Sequence, residues 1–122
     1  MVLSIDLAPT MLTLAGVPVP ERMQGRELTP LLSDATTDWR TDWYYEHVYN
    51  TRPPRSPIVK VEGVRTDRWK YVRYPDETGQ SEQLFDLTTD PVEQTNLAQD
   101  PTRQPTLTKL RNRCDQYRTD LR

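Results

Sequence analysis

Apolar residues along this chain change their spacing twice, and each spacing predicts a different element. Near the start, Leu7, Met11, Leu14 and Ala15 return at the three-and-four-residue steps of one helical face. Asp6 stands where an N-cap belongs, and Pro9 sits in the first turn, where its missing N–H does little harm. Gly16 supplies the C-terminal stop. An extended loop, V-P-V-P-E-R-M-Q-G-R-E-L, then leads to a short helical turn over residues 28–32. The polar run S-D-A-T-T-D that follows is the best candidate boundary, placing one unit at 1–33 and another at 34–122.

Beyond that break the pattern becomes strand-like. Residues 43–49, W-Y-Y-E-H-V-Y, have the aromatic content of a β-strand. T-R-P-P-R-S-P is stiffened by proline and cannot pair in a sheet. Residues 58–66, 69–74 and 83–87 read as three further strands, and their short links argue for an antiparallel meander. After L-F-D-L, Asp90 is expected to cap a helical turn begun by Pro91, with Leu97 pinning the crossing. From Pro101 or Pro105 onward the helical period returns. Leu107, Leu110, Cys114, Tyr117 and Leu121 form a narrow apolar stripe on a charged helix, with Arg111 expected on the far side. The fold class implied is α+β: a four-stranded antiparallel sheet against a long C-terminal helix. Trp69, Tyr71 and Phe85 are the candidates for the sheet's inner face.

Composition narrows the function. Hydrophobic residues make up 34% of the 122, below the ~45–50% of ordinary globular chains. That implies a thin core. The net charge of −2 gives no electrostatic reason to expect nucleic acid. R-W-K-Y-V-R-Y does interleave bases with aromatics. Alternation, however, puts Trp69 and Tyr71 on one face and Lys70, Val72 and Tyr74 on the other, so the aromatics read as core. The N-terminal stretch has no basic lead and only a short apolar run, so it reads as neither signal peptide nor membrane span.

Chemistry-bearing groups are few. The one histidine, His47, has no second His or Cys at metal-ligand spacing, and no phosphate-binding glycine loop or nucleophile elbow occurs. Cys114 lies on the apolar stripe and reads as a small buried hydrophobe. No catalytic residue and no metal ligand is assigned. His47, Arg52, Arg55 and Lys60 gather around the proline excursion, where they could meet an anionic substrate or simply form a solvated surface. Arg65, Asp67 and Lys70 flank the tight turn and read as an ion-paired hairpin.

The order of motifs resembles the C-terminal portion of the type I sulfatases, arylsulfatase-like members of the alkaline-phosphatase superfamily. The resemblance rests on S-I-D-L-A-P-T-M-L-T-L-A-G, Y-Y-E-H, E-G-V-R-T-D-R-W-K-Y-V-R-Y and E-Q-L-F-D-L-T-T-D-P-V-E-Q-T-N-L-A, and covers nearly all of residues 4–98. It implies that residues 1–33 close a large α/β catalytic domain and that 34–122 form the C-terminal subdomain. It also implies a formylglycine nucleophile and a calcium ion in that catalytic domain, none of them here. The expected partners are that catalytic domain and a sulfated small molecule or glycan. The expected role is support of the catalytic domain and shaping of the substrate mouth. A periplasmic or secreted parent is implied, with Met1 an internal methionine or the start of a truncated frame. Two rivals remain at this level: a phosphonate or phosphodiester hydrolase of the same superfamily, and a stand-alone binding module.

Overall fold

The computed structural model describes residues 1–33, 38–47, 60–75 and 82–121. The chain divides into two compact units, Met1–Arg40 and Thr41–Arg122.

In the first unit a single turn of 3-10 helix, Ser4–Asp6, runs into α1, Leu7–Leu14, and a second short helix, α2, spans Thr29–Ser33. Asp6 does not cap α1. Its carboxylate is fully buried and gripped by both terminal nitrogens of Arg40, while it accepts the backbone N–H groups of Leu3 at 2.7 Å and Arg26 at 2.9 Å. Burial would raise this carboxyl, but the Arg40 hydrogen bond and the two backbone donors outweigh it and hold the group at about 2. Thr10 extends the tie, its hydroxyl donating to Asp6 O at 2.6 Å and accepting Leu28 N at 2.9 Å. Gly25 passes so close that a Cβ there would lie 2.0 Å from the Ile5 carbonyl oxygen. Trp39 closes the unit, its indole donating to Met1 O at 2.5 Å and its ring in contact with the guanidinium groups of Arg26 and Arg40, at 4.4 and 5.1 Å from the ring centre. These ties carry the unit on to Arg40, past the boundary drawn from composition at residue 33.

The second unit is the expected meander. β1 (Asp42–His47), β2 (Val61–Thr66), β3 (Trp69–Arg73) and β4 (Glu82–Asp86) pair antiparallel in sequence order. A 3-10 turn at Pro101–Arg103, capped by the Asp100 carboxylate on Thr102 N, feeds α3, Gln104–Asp120. Leu107, Leu110 and Cys114 of α3 are buried on Val64, Tyr71, Leu84 and Ala98, with Tyr44, Trp69, Leu97 and Tyr117 packed around them. Leu121, the end of the stripe, is exposed.

Register decides which side chains face α3. Trp69 pairs with Asp86, Tyr71 with Leu84, and Lys70 with Phe85. Cross-strand partners share a face, so Phe85 lies with Lys70 and Val72 on the face away from Tyr71, contrary to the expected grouping. Arg111 also departs from expectation. It lies one residue past Leu110, on the flank of the stripe, and its guanidinium holds both carboxylate oxygens of Glu82, at 2.8 and 2.5 Å. Two further clamps dock the helix: Arg113 and Tyr117 on Asp42, and Arg73 bridging buried Glu62 to Asp115.

The segment after β4 answers to hydrogen bonds rather than to a helical turn. Asp86 O accepts Asp90 N at 2.8 Å, and Glu93 N closes a turn on Asp90 O. Glu93 takes the left-handed φ of 59°, which a helix would not allow. The Asp90 carboxylate accepts Thr95 N, where an N-cap on the Pro91 turn was expected. Asn96 then finishes the edge: its Oδ1 accepts Leu84 N and Ala98 N, and Leu97 N reaches Leu84 O at 2.8 Å. The β4 edge, which would otherwise present unpaired groups, is covered, and Leu97 packs on the core as expected.

Candidate functional site

The sheet face turned away from α3 carries the chemistry. Alternation along β1 sends Trp43, Tyr45 and His47 to that face, and pairing sends Val61, Gly63 and Arg65 of β2 and Lys70 and Val72 of β3 with them. Gly63 is needed here. It stands opposite Tyr45, and a Cβ on it would lie 2.5 Å from the Tyr45 ring and from Tyr71 O. The outer end of the ring therefore packs directly over the Gly63 backbone. Trp43 leans beside it, ring centroids 5.4 Å apart and planes at 49°. Together with Arg65 and Lys70 these rings line a cavity of about 250 Å³. Burial, helped by the nearby Glu93 carboxylate, pushes the Tyr45 phenol well above its ordinary range, so it stays neutral.

The residues predicted from sequence separate on this framework. Arg65 and Lys70 are cross-strand neighbours at the cavity. Lys70 Nζ pairs with the carboxylate of Glu93, which the left-handed backbone presents from the far end of the β4 connection. Arg65 Nε donates to Thr66 O at 3.0 Å. Asp67 is exposed in the turn. The side chain that ties this turn to the sheet is Arg68, whose Nε and terminal nitrogen hold the nearly buried Asp86 carboxylate at 3.0 and 2.7 Å. That hydrogen bond holds the Asp86 carboxyl below its usual range against the cost of burial. His47 is exposed at the end of β1. Lys60 lies 3.8 Å from Glu62, a carboxylate on the α3 side, so it does not join His47. Arg52 and Arg55 lie outside the described residues.

Sequence reasoning missed Trp43, Tyr45, Arg68 and Glu93. For the first two the signal was present, because W-Y-Y-E-H alternates and puts residues 43, 45 and 47 on one side. Glu93 could not be found that way, because only the turn geometry brings it to Lys70.

Among the described residues neither a metal site nor a reactive nucleophile is found. Among the described residues no group of three His, Cys, Asp or Glu side chains is placed to hold a metal ion. Cys114 is fully buried, and burial pushes its thiol up to about 11, far from a reactive thiolate. A larger groove of about 710 Å³ beside α3 is lined by polar side chains such as Lys109, Asn112 and Gln116. No described helix is long and apolar enough to cross a membrane.

Residues 1–120 match the family described as N-sulphoglucosamine sulphohydrolase, C-terminal. The chain belongs to that sulfatase C-terminal family. Its relatives include arylsulfatase K of Homo sapiens, 38% identical over 104 residues, a match covering 77% of this chain and 18% of the relative. The Delta 4,5-hexuronate-2-O-sulfatase of Bacteroides thetaiotaomicron is 35% identical over 121 residues, covering 95% of this chain and 23% of that enzyme. Among solved structures, BT4656 in complex with its substrate D-glucosamine-2-N,6-O-disulfate superposes with a TM-score of 0.81 at 27% identity, over 95% of this chain and 24% of that one. The chain thus spans about a fifth of the length of these curated relatives. The family assignment agrees with the motif order seen in the sequence.

Proposed function

We propose that the chain serves as the C-terminal part of a sulfatase acting on sulfated glycans, steadying a catalytic domain and shaping the mouth through which substrate enters. The observation that carries this reading is the orientation of α1. The helix buries Pro9 and Thr10, as the preceding turn buries Asp6, and leaves Leu7, Met11 and Leu14 at 56%, 70% and 71% exposure. Val2 and Ile5 add to the patch. Isolated domains do not leave the apolar stripe of a helix in water, so this stripe is a docking surface for the catalytic domain. The names of the relatives support sulfuric ester hydrolysis, and in this reading the nucleophile, a formylglycine, and a calcium ion belong to the catalytic domain. In this role His47 stands at the mouth, and Lys60, engaged by Glu62, supports the sheet.

A fusion tests the reading. The C-terminal segment of the Bacteroides hexuronate sulfatase is exchanged for this chain, and sulfate release from its substrate is measured. Turnover is expected from the fusion and none from the 122-residue chain alone on an aryl sulfate. Met11→Asp, which puts a charge in the stripe, should abolish turnover of the fusion. Turnover by the isolated chain, or a fully active Met11→Asp fusion, would overturn the proposal.

A further inference from the structure

We infer that the cavity walled by Trp43 and Tyr45 and edged by Arg65 and Lys70 is a subsite for one anionic sugar ring, a sulfated or uronate unit of a glycan. The inference rests on the sulfatase reading above and gives that reading a specific contact.

Three features point to this occupant. The first is shape. The outer end of the Tyr45 ring packs over Gly63 so closely that a Cβ there would lie 2.5 Å from it, and Trp43 leans beside it. Two fixed aromatic faces suit the C–H face of a sugar ring, and fixed walls bind without an ordering cost. The second is charge. Lys70 is neutralised by Glu93, so among the described residues the rim keeps one cation without a carboxylate partner, Arg65. Among the described residues its guanidinium makes one hydrogen bond, from Nε to Thr66 O, leaving both terminal nitrogens for two oxygens of one anion. Planar bidentate recognition of that kind suits a sulfate or carboxylate. The third is size. At about 250 Å³ the cavity falls below the ~300–1,000 Å³ of sites for drug-sized ligands, which fits one ring and its charged group. A protein segment could use Arg65 through a carboxylate, but it would leave the aromatic walls without a matching ring.

The test titrates the full chain with D-glucosamine 6-sulfate, with unsulfated D-glucosamine and with inorganic sulfate, following the indole signals of Trp39, Trp43 and Trp69 by NMR. The sulfated sugar should move Trp43 alone and bind at least about tenfold more tightly than either control, as one lost charged hydrogen bond implies. Arg65→Gln, read by the Trp43 signal, and Trp43→Leu, read by titration calorimetry, should each weaken that binding by about tenfold or more while the Trp39 and Trp69 signals keep their positions. Equal binding of sulfated and unsulfated sugar, equal binding of inorganic sulfate, or an unaffected Arg65→Gln variant would overturn the inference. In the fusion enzyme, Arg65→Gln should raise KM and spare kcat. A loss of stability at unchanged KM would mean that protein fills the cavity, refuting the subsite while the sulfatase reading stands. Sugar binding by the chain beside an inactive fusion would do the reverse.

Discussion

Truncating Leu110 to alanine tests how the second unit is held together. Leu110 is 4% exposed and sits mid-way along α3, between Leu107 and Cys114, on the cluster formed by Val64, Tyr71 and Leu84. Removing a buried leucine's outer carbons loses transfer free energy and leaves a cavity, together ~2–5 kcal/mol. The unit is small, and domains of this class have ~5–15 kcal/mol in all. At ~4–8 °C per kcal/mol for a 60–100-residue domain, the melting midpoint should fall by at least ~8 °C. The contrast is Asn112→Ala, an exposed change on the same helix, expected within ~0.5 kcal/mol of the parent. Arg111→Ala should fall between them. Among the described residues it leaves the Glu82 carboxylate with the Tyr71 hydroxyl as its remaining side-chain hydrogen-bond donor. Arg111 is itself 39% exposed, so solvent screening keeps the loss near ~1 kcal/mol. The measurement is thermal unfolding by circular dichroism. Equal midpoints for Leu110→Ala and Asn112→Ala would refute docking of α3 through this stripe.

The first unit should be acid-sensitive in a defined window. Asp6 has a folded value near 2 against an ordinary 3.8, so its stabilisation is complete above 3.8 and lost as pH falls toward 2. The Trp39 indole signal, followed through an acid titration, should report that loss, and a stability that rises on acidification would contradict the Asp6–Arg40 account. Gly63→Ala should destabilise the sheet by ~1–3 kcal/mol, because its methyl has to displace the Tyr45 ring or the Tyr71 carbonyl. Urea unfolding with an unchanged midpoint would show that the ring is not seated as described.

Periodicity and turn chemistry in the sequence were sufficient for the α+β class, the order of four strands, the α3 stripe and the burial of Cys114. Each of these follows from local rules: alternation at two residues, return at three and four, and prolines that exclude pairing. The motif order was likewise enough for the family. What depends on register was not legible. The face of Phe85 hangs on which residue of β3 it opposes, and β4 is joined to β3 through a loop whose composition does not fix that pairing. Buried charges were hidden for a related reason. Asp6 reads as a cap in one dimension, but Arg40, thirty-four residues away, reaches it and makes burial tolerable. The apolar stripe of α1 was found correctly, yet only the three-dimensional arrangement showed that it faces outward, because Asp6 and Thr10 are committed to the inside. The cavity is the clearest case. Trp43, Tyr45, Arg65 and Lys70 come from three strands, and Glu93 from a left-handed turn beyond the fourth. Long-range pairing brings these residues together, and no local spacing encodes it.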